Sequence, residues 1–191
     1  MNFFGAKSAA PAVSVLLLLS APVFGAETFA TPDAAAAAFY KVYKQAHVMD
    51  IPNAKERRVW KPVLSDELFG LIVLGDQAEA RWAKKNAKEP APPLYEGDLF
   101  TSMVEGNAQL AGISCETNGE TAICTASLHY FDKHGKNGKP EDFKWQDKLD
   151  LVHTAAGWRV DDLEYGGNWE FGPHGRLKDV LKDVDKESRA D

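Results

Sequence analysis

The chain has 191 residues, 28 of them acidic and 22 basic, with a formal net charge of −6. That length suits one domain with a sizeable core. The acidic, spread-out charge argues against nucleic acid and anionic membrane as partners.

Residues 1–25 stand apart. Lys7 is their only charge, residues 13–19 are an apolar run, and residues 21–26 are a small-residue exit. This is the layout of a secretory signal peptide, and Val23 and Gly25 place the cut before Ala26. An uncleaved anchor is the alternative, but the run is short and flanked by Pro11 and Pro22. No cysteine directly follows it, so a lipid anchor has no attachment site. Cleavage removes one lysine and no acid, which leaves 21 basic and 28 acidic residues, a charge of −7. No later apolar segment is long enough to span a bilayer. Residues 26–191 are therefore expected to form a single exported domain, periplasmic or secreted.

Thr31-Pro32-Asp33 opens a first helix: Thr31 caps it, Pro32 suits its first position and Asp33 favours the positive end of its dipole. Ala35, Phe39, Val42, Tyr43 and Ala46 recur at helical spacing as one apolar stripe. Tyr40 and Tyr43 read either as core packing or as a ligand-stacking pair. The helix should end before Pro52. Residues 53–63 form a charged connector carrying Trp60. Ser65 then caps a second helix with acids in its first turn, and Leu68, Leu71, Ile72, Ala78 and Trp82 form its buried face. Gly75 weakens the middle and marks a place where this helix could break. The proline-rich residues 89–98 end the helical half, so the layout is helices followed by sheet.

From Phe100 onward the pattern is β. Residues 109–116 and 121–132 read as a hairpin with two competing registers. With Asn118-Gly119 as the turn, Cys115 lies diagonal to Cys124. With Gly119-Glu120 as a type II′ turn, the two cysteines face each other in a non-hydrogen-bonded pair, where side chains come closest. An exported chain meets an oxidising compartment, and a bridge needs short Cβ separation, so the cysteines favour the second register. In either register Ala111, Ile113, Cys115, Cys124, Ala126, Leu128 and Tyr130 share a face assigned to the core. Residues 132–142 are a polar hairpin tip.

The organising stretch is 143–165. Phe143, Trp145, Leu149 and Leu151 share one face, with Asp147 in phase between them, and Lys144, Gln146, Lys148 and Asp150 take the other. A turn at residues 154–157 leads to a second strand whose apolar phase reverses between Val160 and Leu163. A bulge at Asp161-Asp162 repairs that mismatch and bends the sheet. A glycine-rich turn with Trp169 and Phe171 follows, and Leu177, Val180, Leu181 and Val184 mark a last helix over 175–186.

The five histidines share no ligand spacing, and no cysteine pair accompanies them, so neither a metal nor a cofactor is expected. Asp147 is the one acid on a face expected to be buried or pocket-lining. A carboxyl group in an apolar cavity has a raised pKa and can serve as a general acid or base. The other pocket-lining candidates are Tyr40, Tyr43, Trp145, Leu149 and Trp158.

Several pieces carry a resemblance: Phe39-Tyr40 with Tyr43; Leu64-Ser65 leading to Leu68 and Leu71; the D-L-F-T-S segment 98–102; and the G-W-R-V-D-D-L-E-Y ending 157–165. Together they resemble the nuclear transport factor 2-like superfamily and, more narrowly, a bacterial envelope family known as a domain of unknown function. The resemblance implies an α+β fold: N-terminal helices on a curved antiparallel sheet of about four strands, cone-like, with a C-terminal helix. It also implies a soluble periplasmic form, since the lipid-anchor cysteine is missing. That superfamily hosts enzymes and binding modules alike, and its enzymes use an interior Asp, often with His or Tyr. The expectation is a non-catalytic domain that binds a partner protein or a small apolar ligand. One alternative is a small isomerase or dehydratase with Asp147 as base. The other is an envelope-assembly or immunity-type protein, with a filled interior and an exposed aromatic patch near Trp169 and Phe171.

Overall fold

A computed structural model describes Met1 and residues 28–46, 49–89, 91–103, 107–170 and 172–190. The expected signal peptide, apart from Met1, and also His47 and Phe171 lie outside the described residues.

The described residues form an α+β fold, with three α-helices packed on one antiparallel five-stranded sheet. Helix α1 spans Pro32–Ala46, and Thr31 Oγ1 accepts from the Ala34 N–H at 3.2 Å, the expected cap. Its buried face is Ala35, Ala36, Phe39, Tyr40 and Tyr43. Helix α2 spans Asp66–Lys85, with Ser65 Oγ accepting from the Leu68 N–H at 3.0 Å. It runs unbroken through Gly75. That glycine is a contact point: a Cβ there would lie 3.1 Å from both Ile51 Cδ1 and Leu181 Cδ2. The lost helix propensity is the cost of letting α3 (Leu177–Glu187) approach closely.

The strands are β1 (Gln109–Asn118), β2 (Thr121–Asp132), β3 (Glu141–Thr154), β4 (Gly157–Tyr165) and a two-residue β5 (Gly175–Arg176), adjacent in chain order. Cys115 pairs directly with Cys124 and is disulfide-bonded to it, with Cα atoms 4.0 Å apart. The turn is Gly119-Glu120, with Gly119 at φ +60°, as the first position of a type II′ turn requires. The bridge closes only a nine-residue separation, so its loss in Cys115→Ser/Cys124→Ser should cost about 2–3 kcal/mol in a urea melt, with the alkylated mass of the native protein unchanged unless reductant is added.

Strand β1 departs from expectation. A register shift between Leu110 and Gly112 throws Ala111 out of phase, and Ala111 is exposed rather than core. Ile113 and Cys115 are only half-buried, because β1 is the edge of the sheet. Residues 100–103 also differ. They are irregular and buried, and the first strand starts only at Gln109. Trp60, placed on a connector by its charged neighbours, is fully buried and stacks on Phe100 with ring centroids 3.8 Å apart.

The bulge in β4 falls where the phase reversal puts it. Asp150 pairs with Asp162 and Leu151 with Val160, so Asp161 is the extra residue. Both aspartates then hold helix starts. Asp161 accepts from Ser65 Oγ at 2.6 Å and from Lys178 Nζ at 2.7 Å. Asp162 accepts from the Lys178 N–H at 3.0 Å, in the first turn of α3, and from Arg176 Nε at 2.7 Å. The bend thus fixes where α2 and α3 begin. The core lies between the helices and the Cys124, Ala126, Leu149, Leu151, Val160 and Leu163 face of the sheet.

Candidate functional site

Residues 98–103 pass through the core without regular structure, and all six are buried. Backbone groups there need partners that neither water nor a ladder supplies. Side chains provide them. Tyr95 Oη donates to the Asp98 carbonyl at 2.8 Å, and Tyr165 Oη to the Leu99 carbonyl at 2.7 Å. The Asp98 carboxylate accepts from the Phe100 N–H at 2.9 Å and from the Tyr43 hydroxyl. Tyr43 Oη in turn accepts from the Ala108 N–H at 3.2 Å. Burial pushes the Tyr43, Tyr95 and Tyr165 hydroxyls well above the ordinary phenol range, with Asp98 adding to the effect on each.

Asp147 completes the same network. It is fully buried on β3, opposite Ala126. One carboxylate oxygen accepts from the Ser102 hydroxyl and from the Gly166 N–H at 2.9 Å. The other accepts from the Ser102 N–H at 3.0 Å and from Trp145 Nε1 at 3.1 Å. Burial pushes the carboxyl above its usual range, against the pull of these four donors. Two donors on each oxygen use up what the group can accept in this geometry. Its role is to satisfy Ser102 of the buried segment and Gly166 just after β4.

The other residues singled out from the sequence fall in three places. Leu149 is fully buried in the core. Trp145 and Trp158 are buried at its margins, where Trp145 meets Trp169 edge-on at 5.3 Å and Trp158 lies 5.1 Å from His153. Tyr40 and Tyr43 sit together on α1, 6.4 Å apart, and both border a cleft. Tyr40 Oη is buried, has no hydrogen-bond partner among the described residues, and has its pKa raised first by burial and then by Asp147. Trp169 is half-buried, and its Nε1 donates to Met103 Sδ at 3.1 Å. Among the described residues no three His, Cys, Asp or Glu side chains gather as a metal site would need. No described helix is long and apolar enough to cross a membrane.

Two concavities stand out. The larger, about 900 Å³, is an open groove on the sheet face away from the helices. Its charges are already compensated: Lys144 and His129 pair with Asp142, and Lys148 pairs with Glu164. The smaller, about 440 Å³, lies between α1 and the start of β1. Ala37, Tyr40, Tyr43, Ala108 and Leu110 line it together with the polar Asn107 and Gln109, and the exposed Lys41 and Lys44 stand on its rim. Asp147 lines neither. The sequence pointed to the two tyrosines through their helical spacing; the lysines had no signal of their own, because β1 is brought beside them only by the fold.

No protein-family model and no curated protein sequence matches the chain. Among solved structures, a solution NMR structure of a de novo designed β-sheet protein is similar over 73% of this chain and 88% of that one, at 13% identity and a TM-score of 0.34. A likeness of that size carries no argument about fold or function.

Proposed function

We propose that this is an exported, non-catalytic binding domain that takes a small apolar ligand in the cleft between α1 and β1. The observation that carries the reading is the contrast between its two tyrosine-lined regions. The interior network around Asp98 and Asp147 is saturated by the chain's own donors, whereas the cleft beside Tyr40 and Tyr43 is left open by the described residues, with Ala37 and Leu110 as apolar surface on it. A general base needs a free lone pair and a route to substrate, and Asp147 has neither. The disulfide supports an oxidising compartment, and the signal-like residues 1–25 support a periplasmic or secreted location. The resemblance to the nuclear transport factor 2-like superfamily belongs to the same proposal.

The test uses N-phenylnaphthylamine, a neutral apolar probe that fluoresces on leaving water. The native protein should enhance its emission saturably. Ala37→Trp, at an exposed helix position that lines the cleft, should remove the enhancement and leave the melting temperature unchanged. An enhancement that Ala37→Trp does not reduce would place binding elsewhere and end the proposal.

A further inference from the structure

The cleft has a chemical polarity. We infer that its ligand carries an anionic head group, held at the rim by Lys41 and Lys44; this rests on the cleft being the binding site. Four observations support it. First, the described residues lining the cleft include two cations and no carboxylate, on a protein whose net charge is −6. The sign of the rim is opposite to that of the molecule around it. Second, neither lysine makes a salt bridge or hydrogen bond with any described residue. The larger groove shows the contrast: its lysines face Asp142 and Glu164.

Third, the two lysines are three residues apart on α1, so their stems rise from one side of the helix and their ammonium groups can reach one anion together. Both are exposed, which leaves the head groups solvated and free to move onto a ligand. Fourth, the apolar lining lies inward of them. Tyr40 and Tyr43 point back into the core, and Leu110, partly exposed on β1, closes the far side. An apolar body against Ala37 and Leu110 with a carboxylate or sulfonate at the rim matches that layout. A cationic head does not, because no described residue lining the cleft carries a carboxylate to offset a positive charge. Lys44 also lies in the last turn of α1, where it complements the negative helix end; that role leaves its ammonium group exposed.

The experiment compares two probes that differ by one group: N-phenylnaphthylamine, and anilinonaphthalenesulfonate, which adds a sulfonate. Both are titrated into the native protein and into Lys41→Gln/Lys44→Gln at low ionic strength. The expected result is that the double variant weakens sulfonate binding about tenfold, as two partly exposed ion pairs would give, and leaves the neutral probe unchanged. Added salt should shrink the same difference in the native protein. Equal weakening of both probes, or no change in either, overturns the anionic-head inference while leaving an apolar site standing. Binding of both probes that Ala37→Trp leaves untouched removes the site itself, and the inference with it.

Discussion

Replacing Asp147 should destabilise the protein long before it tests any chemistry. Asp147→Ala leaves the Ser102 N–H and hydroxyl, the Gly166 N–H and Trp145 Nε1 facing a void. The Ser102 hydroxyl can rotate to a new partner; the three N–H donors cannot. Each buried donor left unpaired costs about 1–3 kcal/mol, so a total loss of about 4 kcal/mol or more is expected, comparable to the whole stability of many domains. Asp147→Asn is the sharper comparison because it keeps the shape. Whichever way the amide turns, its NH₂ meets at least one N–H donor that cannot become an acceptor, and a loss of about 2–3 kcal/mol follows. Urea melts of the two variants give the ranking, with Ala below Asn below the native chain. An Asp147→Asn protein as stable as the native one would mean the carboxylate is held for some purpose other than structure, and the enzyme reading would return.

Gly166→Ala should be about as damaging, for a steric reason. A Cβ on Gly166 would lie 1.9 Å from the Gln146 carbonyl oxygen, which is backbone and cannot swing aside. The chain leaving β4 would have to lift from β3, taking the Gly166 N–H away from Asp147. Overpacking of this kind costs about 1–3 kcal/mol by itself, and the lost hydrogen bond adds to it. Gly112→Ala is the control, since nothing lies within 4 Å of its added carbon. In the double variant Asp147→Ala/Gly166→Ala the losses should fall well short of additive, because both single changes break the same contact. Full additivity in the melts would mean that the two positions act separately.

What could be read from the residues was whatever depends on neighbours in sequence. Thr31-Pro32 and Ser65 announce helix starts, and the alternation from Phe143 to Leu151 announces a strand. The hairpin register was legible because two cysteines must meet at a fixed distance, and the bulge because an apolar phase that reverses within one strand needs an extra residue. What stayed hidden depends on distant partners. Trp60 looks like part of a charged linker until Phe100 stacks on it. Residues 100–103 have strand-like composition, yet their backbone N–H groups bond to Asp98, Asp147 and Thr101 side chains rather than to a ladder. The phase of β3 placed Asp147 on the inner face, but nothing local told a catalytic carboxylate from one that anchors backbone. The shift after Leu110 that expelled Ala111 has no local mark beyond Gly112. Nothing in the sequence set Lys41 and Lys44 beside Leu110.

The kink at Asp161 bears on how the molecule comes into being. Ser65, which starts α2, leans on a carboxylate 96 positions later, and α3 leans on its neighbour. A polypeptide delivered from its N-terminus, by ribosome or by export, presents α1 and α2 before their support exists. The apolar flank of α2, which packs on α3 and β4, stays uncovered until the last third of the molecule arrives, and contacts so far apart along the backbone form slowly. Maturation therefore waits on the final hairpin, and for that interval the emerging product depends on whatever shields greasy helices in its surroundings.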